Sequence, residues 1–492
     1  MKLNSINNDY NYELEKLCRL FLPFERIDIT DTLVKDNIYG IVQKRIDGNV
    51  TVLSAYLNAG GKESAHTDSI QNNTEDYDRR CETLLCVQLF ECFADVFGYK
   101  PEWGVLTGIR PAKLYSAYRK KYGDEADRLF KEHFVVSDEK MLLCRETLAG
   151  ETAIINQSEP DSFSLYVSIP FCPSRCSYCS FVSHSVDKAK ALIPQYLQKL
   201  SEEIKITADI AKRLGLKLKT VYIGGGTPTT LSPDEIETVM GEIAGNFDLS
   251  NIIEYTVEAG RPDTVTEAKL KVIKKYGATR ISINPQTMID SVLEHIGRRH
   301  TAQQTADAFA LARSLGFDNI NMDLIAGLPT DTLSGFCKTL DEVIKLGPEN
   351  VTVHSLSLKR ASAMTGNGEL PDFDTGIQAA KMVSAAHSLL TQNGIMPYYM
   401  YRQSKTVGNL ENVGYAKKGF EGYYNVYIMD ETHTILSCGA SAVTKLKEPY
   451  GKNIRRIFNY KYPYEYINRF DEIKSRKASI EEFYEEYPVR HN

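Results

Sequence analysis

The sequence predicts an α/β protein: a partial six-stranded (β/α) barrel with an α+β domain before it and an α+β extension after it. Three observations carry this reading. From Ser162 onward, six short β-rich runs alternate with helical stretches. The runs are dominated by apolar residues, as strands covered by helices on both faces must be. Residues with chemistry in them gather at the C-terminal ends of these runs, where α/β sheets and barrels build their sites. A doubly wound open sheet is the alternative arrangement of the same units.

An amphipathic pattern over 10–21 predicts a helix, followed by β-rich runs at 37–45 and 50–57. The polar, glycine-bearing stretch 58–77 predicts an exposed loop. From 78 to 157 the pattern is helical, interrupted by Trp103-Gly-Val-Leu-Thr-Gly-Ile-Arg-Pro111, and residues 1–157 read as an accessory domain. The core, 158–374, has predicted strands at 163–170, 220–226, 253–259, 280–286, 319–328 and 351–358. Helices are predicted between them at 192–214, 233–245, 263–276, 301–315 and 332–346. Beyond a helix at 376–392, the extension 375–492 is rich in tyrosine, asparagine and glycine and predicts strands, turns and a short helical end.

Composition narrows the function classes. With 58 basic against 64 acidic residues the net charge is −6, so no global positive field exists to attract nucleic acid. The most apolar stretch, 84–97, is broken by Glu91 and Asp95, which argues against a membrane span. The first residues lack the charged start, apolar centre and cleavage site of a secretory signal, so the expected location is the cytoplasm. Ten cysteines are too sparse for a disulfide scaffold in a chain of 492 residues, and in a reducing compartment a tight cysteine group indicates metal or redox chemistry. Seven of them (Cys18, Cys81, Cys86, Cys92, Cys144, Cys337, Cys438) lie in apolar or helical surroundings and predict small core residues.

The other three form Cys172-Pro-Ser-Arg-Cys176-Ser-Tyr-Cys179, directly after the first core strand. Three thiolates on one loop can converge on one iron–sulfur cube, leaving its fourth iron without a protein ligand. A structural zinc would need a fourth ligand, and His184 is the one nearby candidate. The second strand ends in Gly224-Gly-Gly-Thr-Pro-Thr229, glycines that permit close backbone approach of amides to a ligand but lack the Gly-Lys-Ser/Thr end of a phosphate loop.

The cysteine spacing resembles the signature of the radical S-adenosylmethionine (SAM) superfamily, and Tyr166-Val-Ser-Ile-Pro-Phe-Cys172 resembles its coproporphyrinogen-dehydrogenase branch. The resemblance implies a radical SAM barrel with a [4Fe–4S] cluster on Cys172, Cys176 and Cys179, whose open iron chelates SAM and cleaves it to a 5′-deoxyadenosyl radical. It implies SAM-binding roles for Tyr178, Gly225, Gly226, Thr227, Glu258, Gln286, Arg298 and Asp323, with Tyr166 beside the cluster and Ser357 on strand six. Carboxylates can accept from ribose hydroxyls, and an arginine can clamp a carboxylate.

Trp103–Pro111, Tyr399-Met-Tyr-Arg-Gln403, Asn409–Ala416 and Gly439-Ala-Ser-Ala442 extend the resemblance over the whole chain to HemZ-type coproporphyrinogen III dehydrogenases. The reaction so implied converts two propionates of coproporphyrinogen III to vinyl groups without oxygen, with a low-potential electron donor and an electron acceptor as partners. Arg298, Arg299, Lys359, Arg360 and Arg402 are candidate cations for the anionic tetrapyrrole, and the tyrosines of 398–427 candidate flat contacts, although surface and core roles are the commoner ones. The loop departs from some oxygen-independent oxidases in reading Cys179-Ser-Phe181, without a fourth cysteine, so a second SAM is not implied. Alternatives are a haem-binding chaperone on the same scaffold, with His184, His295, His300 and His354 as possible ligands, and a radical SAM enzyme acting on another tetrapyrrole.

Overall fold

The structure, a computed structural model, describes residues 1–179, 184–185, 189–358, 364, 373–403 and 405–489. Two compact units are interleaved along the chain. The first comprises Met1–Leu148, Leu370–Ala380 and Tyr401–Leu410; the second comprises Ala149–Glu369, Lys381–Met400 and Glu411–Asn492.

The first unit opens with β1 (Lys2–Ile6), α1 (Asn11–Phe21), β2 (Asp28–Thr30), β3 (Ile38–Asp47), β4 (Val50–Ala59), β5 (Lys62–Gln71) and α2 (Tyr77–Phe97). The sheet order is β2-β1-β3-β4-β5, with β1 parallel to both neighbours and β3-β4-β5 an antiparallel meander. Leu14, Leu17 and Phe21 of α1 and Leu85, Leu89 and Phe93 of α2 share the core, and Phe21 stacks on Phe93 at 4.8 Å. Helices α3 (Pro111–Tyr122), α4 (Ala126–Phe134) and α5 (Asp138–Ile155) follow.

The expected loop at 58–77 is corrected here, because β5 pairs with β4 from Lys62 to Gln71. The turn is Gly60-Gly61, both at positive φ (57° and 86°), which glycine adopts without steric cost. No β5 residue is fully buried, so the strand carries no alternation of apolar and polar residues.

In the second unit the six predicted core strands appear as β6 (Ser162–Ile169), β9 (Lys217–Gly225), β10 (Glu254–Glu258), β11 (Arg280–Ser282), β12 (Ile320–Ala326) and β13 (Asn350–Ser355). They lie side by side in chain order, all parallel. Between them run α6 (Ile193–Arg213), α7 (Pro233–Asn246), α8 (Glu267–Lys275), α9 (Asp290–His295), α10 (Ala302–Ser314) and α11 (Leu333–Leu346). Side chains set several helix starts: Ser232/Glu235 and Thr301/Gln304 form reciprocal capping boxes, and Thr266 and Thr332 cap α8 and α11. After β6, the two-residue strands β7 (Phe171–Cys172) and β8 (His184–Ser185) pair in parallel.

The remaining elements are α12 (Phe373–Gln392), β14 (Met396–Arg402), β15 (Glu411–Ala416), α13 (Tyr423–Asp430), β16 (Thr434–Cys438), β17 (Val443–Lys447), β18 (Ile454–Phe458), α14 (Pro463–Asn468) and α15 (Phe470–Glu486). They widen the sheet to eleven strands, ordered β14-β15-β13-β12-β11-β10-β9-β6-β16-β17-β18. β15 is antiparallel to β13, whereas β16 pairs parallel with the outer edge of β6, Leu165 opposite Leu436. Among the described residues the sheet stays open. The expected short helical end is instead a helix of 17 residues, α15.

A buried carboxylate ties this C-terminal part to α6. Glu203, fully buried, accepts from Lys477 (3.0 Å) and Asn459 (2.8 Å) on one oxygen. Its other oxygen accepts from the Gly439 amide and the Tyr466 hydroxyl, each at 2.7 Å. Gly439 sits at φ +99°, and a β-carbon there would lie 2.6 Å from both the Ser168 carbonyl and the Tyr196 hydroxyl. That accounts for the glycine of Gly439-Ala-Ser-Ala442. No described helix is long and apolar enough to cross a membrane. Six of the seven cysteines predicted to be core residues are buried, and Cys337 is only half-buried.

Candidate functional site

The candidate residues lie in the second unit, at the C-terminal ends of its parallel strands. Cys172 ends β7, and the loop carries Cys176 and Cys179 onward. Cys176 is buried, while Cys172 and Cys179 are half-buried. Thr227 Oγ1 donates to Cys172 Sγ at 3.5 Å. Two arginines grip this loop. Arg298 Nη2 donates to the Tyr178 hydroxyl at 3.1 Å, and Arg261 Nη1 donates to Ser174 Oγ at 2.9 Å and reaches Cys176 Sγ at 4.0 Å.

The glycine turn after β9 packs against the cysteine strand. A β-carbon on Gly226 would stand 2.6 Å from the Phe171 carbonyl and 3.0 Å from Cys172 Sγ, and one on Gly225, at φ +110°, 2.9 Å from Ser168 Oγ. The expectation that this turn offers its amides to a ligand needs correction. The Gly226 and Thr227 amides are spent on the Ile169 and Phe171 carbonyls, both at 2.8 Å.

At the next strand end Glu258 accepts from the Tyr222 hydroxyl at 2.5 Å. Burial lifts its carboxyl to about 7, partly offset by the Tyr222 hydrogen bond, with the charge of Asp323 adding to the lift. Asp323, on β12, goes the other way. Burial opposes its charge, yet His354 at 3.9 Å, the Asn321 amide at 2.7 Å and Arg280 hold it below the usual carboxylate range. Tyr166 stacks on Tyr222 (6.1 Å) and Tyr424 (6.2 Å), and Tyr222 on Tyr424 (4.5 Å).

Gln286 and Ser357 do not lie on strands, because β11 ends at Ser282 and β13 at Ser355. Gln286 is instead a single bridge to Leu324 at φ +69°, a strained value for a non-glycine residue. Its amide donates to the Asp323 carbonyl (2.9 Å) and its carbonyl accepts from Ile325 (3.0 Å). Arg298 donates through Nη1 to the Gly260 and Asn284 carbonyls, and its Nε, buried, has no partner among the described residues.

Other candidates fall away from the site. Arg402 is not a surface cation: it is buried in the first unit, over the Trp103 ring at 5.3 Å, donating to the carbonyls of Leu106 and Asn409. This pairing accounts for the Trp103 and Arg402 motifs together. Arg299 is exposed, and Lys359 and Arg360 lie outside the described residues. Tyr398, Tyr399, Tyr415, Tyr424 and Tyr427 are buried. Of the histidines, His300 is buried and burial lowers it to about 4, His354 faces Asp323, His295 is exposed, and the His184 side chain lies outside the described residues. Sequence reasoning missed Arg261, Tyr222 and Tyr424. Arg261 was within reach, two residues past Ala259 on a strand end already singled out.

Comparison with known proteins agrees with this geometry. Residues 166–343 match the Radical SAM superfamily model. The oxygen-independent coproporphyrinogen-III oxidase-like protein HemZ of Bacillus subtilis is 35% identical over 503 aligned residues, covering 100% of both chains. The chain belongs to the radical SAM superfamily, among its HemZ-like proteins. The heme chaperone HemW of Bacillus subtilis is 33% identical over 56% of this chain and 70% of its own. The fold is similar to that of coproporphyrinogen III oxidase (HemN) from Escherichia coli over part of its length, with a TM-score of 0.51 and 24% identity over 66% of this chain and 73% of that one.

As a member of this superfamily the protein uses a [4Fe–4S] cluster and SAM. The residues present fit both groups: three thiols on one loop, a glycine turn packed against the cysteine strand, a carboxylate at a strand end and an orphaned buried guanidinium nitrogen.

Proposed function

We propose that this chain oxidatively decarboxylates two propionates of coproporphyrinogen III to vinyl groups, giving protoporphyrinogen IX, in the cytoplasm. The supporting observation is the likeness to the HemZ oxidase-like protein along the entire chain, where the chaperone match spans 56%. Cys172, Cys176 and Cys179 would hold the cluster, leaving one iron for the amino and carboxylate groups of SAM. Cluster and SAM together would supply a 5′-deoxyadenosyl radical to take one hydrogen atom from each propionate side chain, which would then lose CO2 and one electron to become vinyl.

The protein's part is to place and shield. The carbonyls of the 224–226 turn accept from the SAM ammonium, and Arg298 Nε donates to its carboxylate. Glu258 accepts from a ribose hydroxyl in its ionised form, with Tyr222 fixing its orientation. Asp323 accepts from within β12, beside the Gln286 bridge to Leu324, Tyr166 borders the cluster, and Tyr178 and Thr227 buttress its loop. Ser357 completes the set beyond β13. A low-potential donor supplies one electron to the cluster, and a separate acceptor takes one from the substrate. In this reading residues 1–157 are an accessory domain, 158–374 the radical SAM core and 375–492 the extension that covers the substrate; Tyr424 of that extension stacks on Tyr222.

An anaerobic assay with reconstituted protein, SAM, reductant and coproporphyrinogen III tests the reading. Protoporphyrinogen IX and 5′-deoxyadenosine are expected. The similarity to heme chaperones favours one second reading, haem delivery, which tight haem binding without turnover would establish instead.

A further inference from the structure

We infer that Arg261 is a positioning residue that sets the reduction potential of the four-iron centre through the Cys176 thiolate. This rests on the reading of Cys172, Cys176 and Cys179 as cluster ligands. Arg261 follows β10 and is 3% exposed. A guanidinium withdrawn this far from water needs a charged or hydrogen-bonding partner. Asp263 takes two of them in a bidentate pair, Nε to Oδ1 at 2.9 Å and Nη2 to Oδ2 at 2.7 Å. That fork fixes the plane of the group and turns Nη1 toward the cysteine loop. There Nη1 donates to Ser174 Oγ at 2.9 Å and stands 4.0 Å from Cys176 Sγ.

A surface arginine would be pinned neither by a bidentate carboxylate nor by a hydroxyl two residues ahead of a ligand. Arg298, the second arginine on this loop, meets it at Tyr178 rather than at a sulfur. Both guanidiniums put positive charge near Cys176, and Arg261 also directs an N–H at its sulfur. Reduction adds one electron from a low-potential donor to the centre, and no bond to the protein is made or broken. The reduced centre carries one more negative charge, so an N–H donor and a cation beside a ligating sulfur favour it. Asp263 tempers that effect with its own charge. Removing either partner should therefore move the potential in opposite directions.

The test is an anaerobic, spectroscopically monitored redox titration of the full-length reconstituted protein without substrate, alongside iron and sulfide analysis. Arg261→Gln should make the centre harder to reduce by about tenfold in the equilibrium constant, ~59 mV for one electron. Asp263→Asn should make it easier to reduce. Normal iron content with unchanged potentials, or shifts of the same sign in both variants, overturns the inference and leaves only a loop brace. Should Arg261→Gln fail to assemble the centre, the sign of the Asp263→Asn shift decides alone: easier reduction supports the role, and no change or harder reduction refutes it. A wild-type protein without a four-iron centre would instead defeat the assignment of the cysteines, and this inference with it.

Discussion

Two buried polar clusters in the second unit are built from similar residues and end up in opposite states. Around Glu203 everything is used: each carboxylate oxygen accepts two hydrogen bonds, from Lys477, Asn459, the Gly439 amide and Tyr466. At and beneath the strand ends the accounting stays open. Arg298 Nε and Arg280 Nε and Nη2 are buried without a hydrogen-bond partner among the described residues, and Glu258 is lifted to about 7. Buried polar groups that serve the fold are saturated, because an unmade hydrogen bond costs about 1–3 kcal/mol. Groups that serve something arriving from outside keep donors and acceptors in reserve. The difference is between a cluster whose bonds are all made within the fold and one that keeps buried nitrogens open.

The sharpest break comes from the cysteines. Cys176→Ser should abolish the four-iron centre and SAM cleavage, read by iron analysis and 5′-deoxyadenosine formation, while the unfolding free energy of the apoprotein moves by about 1 kcal/mol or less. The Glu203 cluster should respond the other way. Lys477→Met strands the Glu203 charge and should cost roughly 3–5 kcal/mol in urea unfolding, and Glu203→Gln in the same chain should restore much of it.

A smaller effect tests Glu258. Its folded pKa, about 7, lies above the ordinary carboxyl value of 4.5. Its contribution to apoprotein stability is therefore full below the ordinary value and is lost as pH rises through about 7. SAM, which wants the carboxylate ionised, should bind more weakly below that midpoint. Tyr222→Phe removes the hydroxyl that favours ionisation, so the midpoint of SAM affinity against pH should move up, by roughly one unit at most. The least consequence is expected at the rim, where the half-exposed Arg213 meets Glu481 at 2.8 Å. Arg213→Ala should move the midpoint of the same urea experiment least of all, because solvent screens an exposed pair.

The strand–helix alternation was legible because buried parallel strands are continuously apolar and alternate with helical stretches. Strand β5 was not, since its side chains escape full burial on either face and only its register against β4 defines it. In the site, the cysteines and the glycine turn could be read because their chemistry depends on local spacing. Arg261, Tyr222 and Tyr424 could not, because their meaning lies in partners far along the chain: Ser174 for Arg261, and Glu258 and each other for the tyrosines. Arg402 misleads for a related reason. Charge suggests solvent, but here backbone carbonyls and the Trp103 ring take the place of water.

The parallel pairing of β16 with β6 has a consequence for the growing chain. Leu165 finds its neighbour Leu436 only after some 270 further residues have been made, on the order of tens of seconds at ribosomal speed. Until then the strand that leads into the cysteine loop has one bare edge, and the nascent protein carries its thiols on an unfinished wall. Metal loading that waits for release from the ribosome would meet a completed support, whereas earlier delivery would meet a loop still seeking its place.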